Sequence, residues 1–370
     1  MFLQDLKKKI KSFDWTFFIL IFLLVILGLV IQYSLSLGLE PNTFSIFKKH
    51  IIFICLGFIL FFLLSFFDFQ IIKPLVPFLY FLVILLLLLV FVFGTTLRGV
   101  RGWYSLGVVY FQPAELAKLI FVITLAKIWA GKIKETSEAK RFFLSTGLLL
   151  PLVFLSFLQP DFGSALIFIL IWLFIISLNI RNFKYLISIL IIFVLTSFIF
   201  WNFVLHDYHK ARIINFFSPG KDPLGWGYQI LQSKIAIGAG RIFGRGIGYG
   251  SQGQMRFLPA SRSDFIFAVF SEELGFFGSS FLILLFTLLF LKIIRISKTI
   301  DDPFSFFLVL GLGFNLFIHV IINIGMNLGL LPIIGIPLPL ISYGGSFLIT
   351  TFVSLGIIES TIIHQKITLY

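Results

Sequence analysis

Residues 74–94 read PLVPFLYFLVILLLLLVFVFG, and no charged side chain interrupts them. A bilayer core about 30 Å thick needs roughly 20 apolar residues of helix, and a helix that is apolar on every side has no face to offer water. Working outward, the same criterion marks ten spans: approximately 15–35, 50–67, 74–94, 111–131, 142–159, 162–179, 184–204, 275–294, 304–326 and 340–362. The composition agrees. The 370 residues are 59% hydrophobic and 12% charged, against about 45–50% and 25% in soluble domains, and the mean hydropathy is +1.07. A soluble globular enzyme, a disordered chain and a collagen-like chain are excluded. The 51 phenylalanines read as compositional bias. The expected fold is all-α: a polytopic integral membrane protein of about ten transmembrane helices in one domain, 1–370.

Ten spans place both termini on one side, and the basic residues say which. Lys7, Lys8, Lys9 and Lys11 precede the first span, which is too long for a signal-peptide core and lacks a small-x-small cleavage site. With Lys73, Lys127, Lys132, Lys134, Lys140, Arg141, Arg181, Lys184, Lys292, Arg295, Lys298 and Lys366, that side holds 16 basic residues. The opposite short loops hold four: Lys48, Lys49, Arg98 and Arg101. The richer side is expected in the cytoplasm. The connection at 205–274 is then a long extracytoplasmic loop, and a loop of that length crosses regardless of its own charge. Loops this long usually carry function.

Cys55 is the one cysteine, so neither an internal disulfide nor a thiolate metal site can form. The five histidines are scattered, without a zinc-like cluster. The net charge of +13 points to anionic lipid headgroups and phosphate-bearing lipid substrates, and not to nucleic acid.

Several motifs carry polar chemistry next to these spans. Gly248-Tyr-Gly250-Ser-Gln-Gly253 spells G-x-G-x-x-G, but no βαβ pattern surrounds it, so it reads as a turn-rich loop. Arg101-Gly-Trp103-Tyr104 is either an interfacial anchor or a short re-entrant element that meets a headgroup. In Gln112-Pro-Ala-Glu115-Leu-Ala-Lys118 the two charges fall on one helix face. Each costs roughly 2.5–3.5 kcal/mol in hydrocarbon, so they form a structural ion pair or a functional one. Asp161, in Gln159-Pro-Asp161-Phe-Gly163, is a helix cap or a site residue. Asn323, Asn327 and the proline-rich 332–339 segment, running on to Ser342-Tyr-Gly-Gly-Ser346, suggest broken helix lining a cavity. Leu258-Pro-Ala260-Ser-Arg262-Ser263-Asp264 stands before an apolar run with Glu272 and Glu273 two turns on. There Ser263 or Asp264 is a cap, or Asp264 is a reactive carboxylate.

Taken in order, Arg101-Gly-Trp103, the 112–118 motif, the 159–163 motif, Asp264-Phe-Ile-Phe-Ala-Val-Phe-Ser-Glu272-Glu273-Leu-Gly275 and Asn323-Ile-Gly-Met through Pro339 resemble the SEDS family (shape, elongation, division and sporulation) over essentially the whole chain. The wording of the last motif is similar to the elongation branch, with the division and sporulation branches as alternatives. Ala260 departs from the glutamate usual in the family, and Arg262-Ser263 departs from the common His-Thr. The resemblance implies an inverting peptidoglycan glycosyltransferase that polymerises lipid II at the outer membrane face. It implies Asp264 as catalytic base and candidate metal ligand. Arg101, Trp103, Glu115, Lys118, Asp161, Arg262, Glu272 and Ser342 are the expected substrate-binding residues. A divalent cation, Mg²⁺ or Mn²⁺, is the implied cofactor. The implied partners are a class B penicillin-binding protein, which supplies transpeptidation, and other membrane proteins of the elongation machinery. A lipid II flippase is the rival reading. It calls for polar groups through the full membrane depth, whereas here they gather at the outer mouth.

Overall fold

The structure is a computed structural model that describes residues 8–38, 43–97, 99–107, 109–131, 137–179, 226–255 and 257–368. Its helices are α1 (Trp15–Ser36), α2 (Thr43–Ser65), α3 (Val76–Phe93, led in by a 3₁₀ turn at Phe69–Leu75), α4 (Pro113–Trp129), α5 (Glu138–Leu158) and α6 (Phe162–Ser177). After the undescribed stretch come α7 (Trp226–Ala239), the single turn α8 (Ser251–Gln254), α9 (Ile266–Ser297), α10 (Pro303–Asn327) and α11 (Gly345–Thr368). Among the described residues seven helical segments are long and apolar enough to cross a membrane; α4 and α6 are shorter. Local chemistry starts several of them. Asp14, Ser137, Asp161 and Asp302 each accept a first-turn amide as N-cap, and Pro113 and Pro303 occupy the first turn, where a missing N–H costs nothing.

The bundle is built around α4. Nearly all its side chains are buried, because α3, α5, α6, α10 and α11 pack against it. The outer helices turn large apolar side chains outward, among them Ile59 and Leu63 of α2, Phe78 and Phe81 of α3 and Phe276 of α9. Large apolar side chains turned outward along whole helices suit a lipid surrounding.

Three expectations are corrected. The second helix begins at Thr43 and not at 50, so Lys48 and Lys49 stand on a helix and not in a loop. The eighth span was expected from 275, yet α9 begins at Ile266 and has a break at Gly275, so part of the expected loop 205–274 is helix, as are 226–239. Residues 184–204, the seventh expected span, and 205–225 lie outside the described residues. The third concerns the link between α3 and α4, which adds to the helical fold a three-stranded antiparallel sheet: β1 (Thr95–Leu97), β2 (Val100–Leu106) and β3 (Val109–Phe111) in the order β1-β2-β3. Gly99 and Gly107, both at positive φ, make its turns. The Tyr104 hydroxyl donates to Leu86 O at 2.7 Å and pins the sheet to α3.

Among the described residues the connections sort to two ends. At one end Lys292 pairs with Asp14 at 2.7 Å, Lys366 donates to Ser12 O, Lys9 donates to Phe66 O and Arg141 donates to Gly131 O. At the other lie the sheet, the 159–161 turn, the 240–265 segment and the 328–344 loop.

Candidate active site

The turn before α9 is organised by Ala260. Its backbone adopts φ +52, a left-handed conformation that costs a non-glycine residue of order 1 kcal/mol. The amides of Ser263, Asp264 and Phe265 converge on its carbonyl at 3.0, 3.1 and 3.3 Å. The carbonyl of Asp264 is clamped from α10: Asn323 Nδ2 donates to it at 2.9 Å and Asn327 Nδ2 at 3.0 Å. Asn327 Oδ1 accepts the Ala268 amide at 3.1 Å. A side chain of α10 therefore caps α9, whose own N-cap residue, Phe265, has no side-chain oxygen to offer. The Asp264 side chain is part-exposed, and Oδ2 lies 3.6 Å from where a Cβ on Gly335 would stand.

The 333–342 loop wraps this turn. Ser342 Oγ donates to Ser263 O and accepts the Leu338 amide, and Asn323 Nδ2 also donates to Ile336 O at 2.7 Å. Ser342, fully buried, thus braces the Asp264 turn from behind. Arg262 ties the turn to α1 and α2: its guanidinium donates to Leu35 O at 2.7 Å and Thr43 O at 3.3 Å. Its own carbonyl accepts from Gln32 Nε2 and from the Tyr343 amide. Burial raises the Tyr343 phenol above its ordinary pKa, with Arg262 pulling the other way.

Glu115 and Lys118 form the ion pair that their spacing predicts, at 2.7 Å, with Lys118 only 2% exposed. A third partner was not foreseen: His319 Nε2 of α10 stands 3.2 Å from Lys118 Nζ. Asp161 caps α6 through the Ser164 amide and accepts from Gln112 Nε2 at 3.0 Å. Gln112, Asp161 and Ser346 thereby join the starts of α4, α6 and α11, since the Gln112 amide donates to Ser346 Oγ. Arg101 is exposed on β2 and Trp103 is part-buried two residues along.

Glu272 stands apart from this group. It is fully buried and accepts from the Gln252 amide at 3.1 Å and Ser251 Oγ at 3.2 Å, with Arg245 at 3.8 Å. Its neighbour Glu273 accepts from Ser34 Oγ, which in turn accepts the Gly248 amide. The Gly248 and Gln252 amides and the Ser251 hydroxyl of the G-x-G-x-x-G segment are thus spent on the chain's own groups. A cavity of about 330 Å³ lined by Asp68, Asp302, Ser305, Ser360 and His364 lies at the opposite, basic end.

The sequence reading singled out Asn323 and Asn327 but missed Asn315 and His319, which extend them into a polar stripe along α10. Its spacing of four was the available signal, since it puts all four on one face of an apolar helix.

Residues 14–367 match the cell cycle protein family FtsW/RodA/SpoVE. The peptidoglycan glycosyltransferase MrdB of Escherichia coli is 35% identical over 350 residues, which cover 93% of either chain. Among solved structures, a peptidoglycan synthase complex that coordinates polymerization and crosslinking contains a chain with TM-score 0.78 and 30% identity, covering 95% of this chain and 98% of that one. The rod shape determining protein RodA of Thermus thermophilus gives TM-score 0.69 and 28% identity, covering 96% and 97%.

Proposed function

The chain belongs to the FtsW/RodA/SpoVE family, and from that premise we propose that this peptidoglycan glycosyltransferase joins lipid II units into glycan strands at the outer face of the cytoplasmic membrane during elongation. The observation that carries the reading is the clamp on Asp264. Two buried asparagines hold its main chain while its carboxylate remains part-exposed at one end of the bundle.

The chemistry follows from residue types. The 4-hydroxyl of one sugar attacks C1 of the next, the C1–oxygen bond to pyrophosphate breaks with inversion, and the hydroxyl proton goes to Asp264 as general base. The departing pyrophosphate gains charge, which positive groups stabilise. Arg101 is exposed and reaches headgroups directly. Lys118 is buried, so its charge acts across a medium that screens far less than water. Arg262 is engaged with the helix carbonyls and serves the turn. A divalent cation, Mg²⁺ or Mn²⁺, fits as a companion of the substrate. Among the described residues no cluster of three metal-binding side chains forms, and Mg²⁺ characteristically takes one or two carboxylates plus substrate phosphates. Asp264 would hold it, and it would neutralise phosphate charge. A class B penicillin-binding protein is the partner proposed for crosslinking, in keeping with the synthase complex that resembles this chain. Both termini are placed in the cytoplasm, by the basic asymmetry.

The test is purified protein with labelled lipid II and no other glycosyltransferase. Wild type makes glycan. Asp264→Asn keeps the size of the side chain but cannot accept a proton, and loses roughly 10²–10⁴-fold in rate while remaining folded. Near-normal synthesis by Asp264→Asn moves the base elsewhere.

A further inference from the structure

The stripe on α10 carries more than the Asp264 clamp. Asn315, His319, Asn323 and Asn327 are all buried, at intervals of four on an otherwise apolar helix. Polar groups in such a helix are costly and face the bundle interior. Asn323 and Asn327 hold the Asp264 carbonyl; His319 holds Lys118. Four residues of helix rise about 6 Å, so the Lys118 contact and the Asp264 clamp lie one turn apart along one rigid element.

The chemistry of the His319 contact is determined by its other nitrogen. Nδ1 is 2.6 Å from Asn315 O. A carbonyl oxygen only accepts, so Nδ1 carries the proton, and the neutral ring presents Nε2 as an acceptor. The Lys118 ammonium facing it can only donate, so Nε2 accepts. The imidazole packs against Phe347 of α11, centroids 5.0 Å apart, which stops it from turning away. Lys118 has three N–H donors; Glu115 and His319 take two of them.

We propose that His319 is a positioning residue for glycosyl transfer: it holds the Lys118 ammonium, through Nε2, in a fixed place relative to the Asp264 turn, so that the buried lysine charge acts on the pyrophosphate of the lipid-linked substrate. The proposal rests on the transferase reading above. It requires an acceptor at position 319, and the imidazole as such is dispensable.

His319→Leu fills similar space without an acceptor, and His319→Gln offers an amide oxygen. Both are purified in full-length form in parallel with wild type and Asp264→Asn, and kcat, KM for lipid II and thermal midpoint are measured for each. His319→Leu is expected to raise KM about tenfold with a smaller change in kcat, and His319→Gln to return KM to within about threefold of wild type. A KM in His319→Leu equal to wild type overturns the proposal. So does an equal loss in both variants together with a lowered thermal midpoint, because that pattern belongs to packing alone. If wild type makes glycan and Asp264→Asn does not, a negative result at 319 refutes only the His319 role. If wild type makes no glycan, it is the transferase reading that fails.

Discussion

Lys118 shows what a single residue can and cannot disclose in a sequence. Its pairing with Glu115 follows from helix geometry alone, because residues three apart share a face, and the two atoms do meet at 2.7 Å. Its contact with His319 spans 201 positions and becomes visible only once α4 and α10 are packed together. The same holds for Asp264, which reads as a cap or a catalyst in sequence; the cap role goes to Asn327, a residue of another helix. The ion pair makes a prediction that separates charge balance from chemistry. Removing one partner of a buried pair strands the other charge and costs about 3–5 kcal/mol. Lys118→Met should therefore lower the thermal midpoint of the purified protein and abolish glycan synthesis. Glu115→Gln combined with Lys118→Met removes both charges and should restore much of the stability without restoring synthesis. Recovery of synthesis in the double variant would reduce the pair to a charge-balancing device.

At the scale of elements, α9 is the instructive case. Hydropathy places its start at 275, because Glu272 and Glu273 look like the end of a loop. The helix instead begins at Ile266 and breaks at Gly275, with φ 66 and ψ −160, a region open almost only to glycine. The break leaves backbone groups unpaired, and the 241–246 segment satisfies them. Arg245 and Gly246 donate to the carbonyls of Glu272 and Glu273, each at 3.0 Å, and the amides of Phe276 and Phe277 donate to Arg241 and Ile242. A Cβ at Gly275 would lie 2.3 Å from Gly244 N. Gly275→Ala should thus destabilise the protein by at least about 1–3 kcal/mol and speed tryptic cleavage at Arg241 and Arg245. Gly147 of α5 has open space around it, so Gly147→Ala should be neutral or slightly stabilising and leave the cleavage rate unchanged. Equal behaviour of the two variants in a thermal melt and a proteolysis time course would remove the break from the account. The small sheet at 95–111 escaped the sequence reading for a related reason. Its two outer strands have three residues each, too short to show a period, and all three strands depend on pairing with one another.

For the whole molecule, the prediction is sidedness. The structure brings Lys9, Lys73, Arg141, Lys292 and Lys366 to one end, where they meet carbonyls, an aromatic ring and Asp14. The Asp264 turn lies at the other. In a Cys55→Ser background, Tyr249→Cys, at a side chain 79% exposed, should react with an impermeant thiol reagent on intact cells. Ser137→Cys, exposed at the basic end, should react only after permeabilisation. The reverse pattern would put the proposed site in the cytoplasm. By itself the sequence determined the class of molecule, most of its helices, the two populations of loops and the 115–118 pair. All of these depend on composition, hydropathy over windows of about 20 residues, or contacts within one turn, and none needs a neighbouring element. The tertiary structure alone decided the break at Gly275, the sheet, the burial of Glu272 beneath its own loop and the α10 stripe that joins Lys118 to Asp264. Each of those rests on a backbone or side-chain group whose hydrogen-bond partner lies outside its own element, and buried polar groups must find partners wherever packing supplies them.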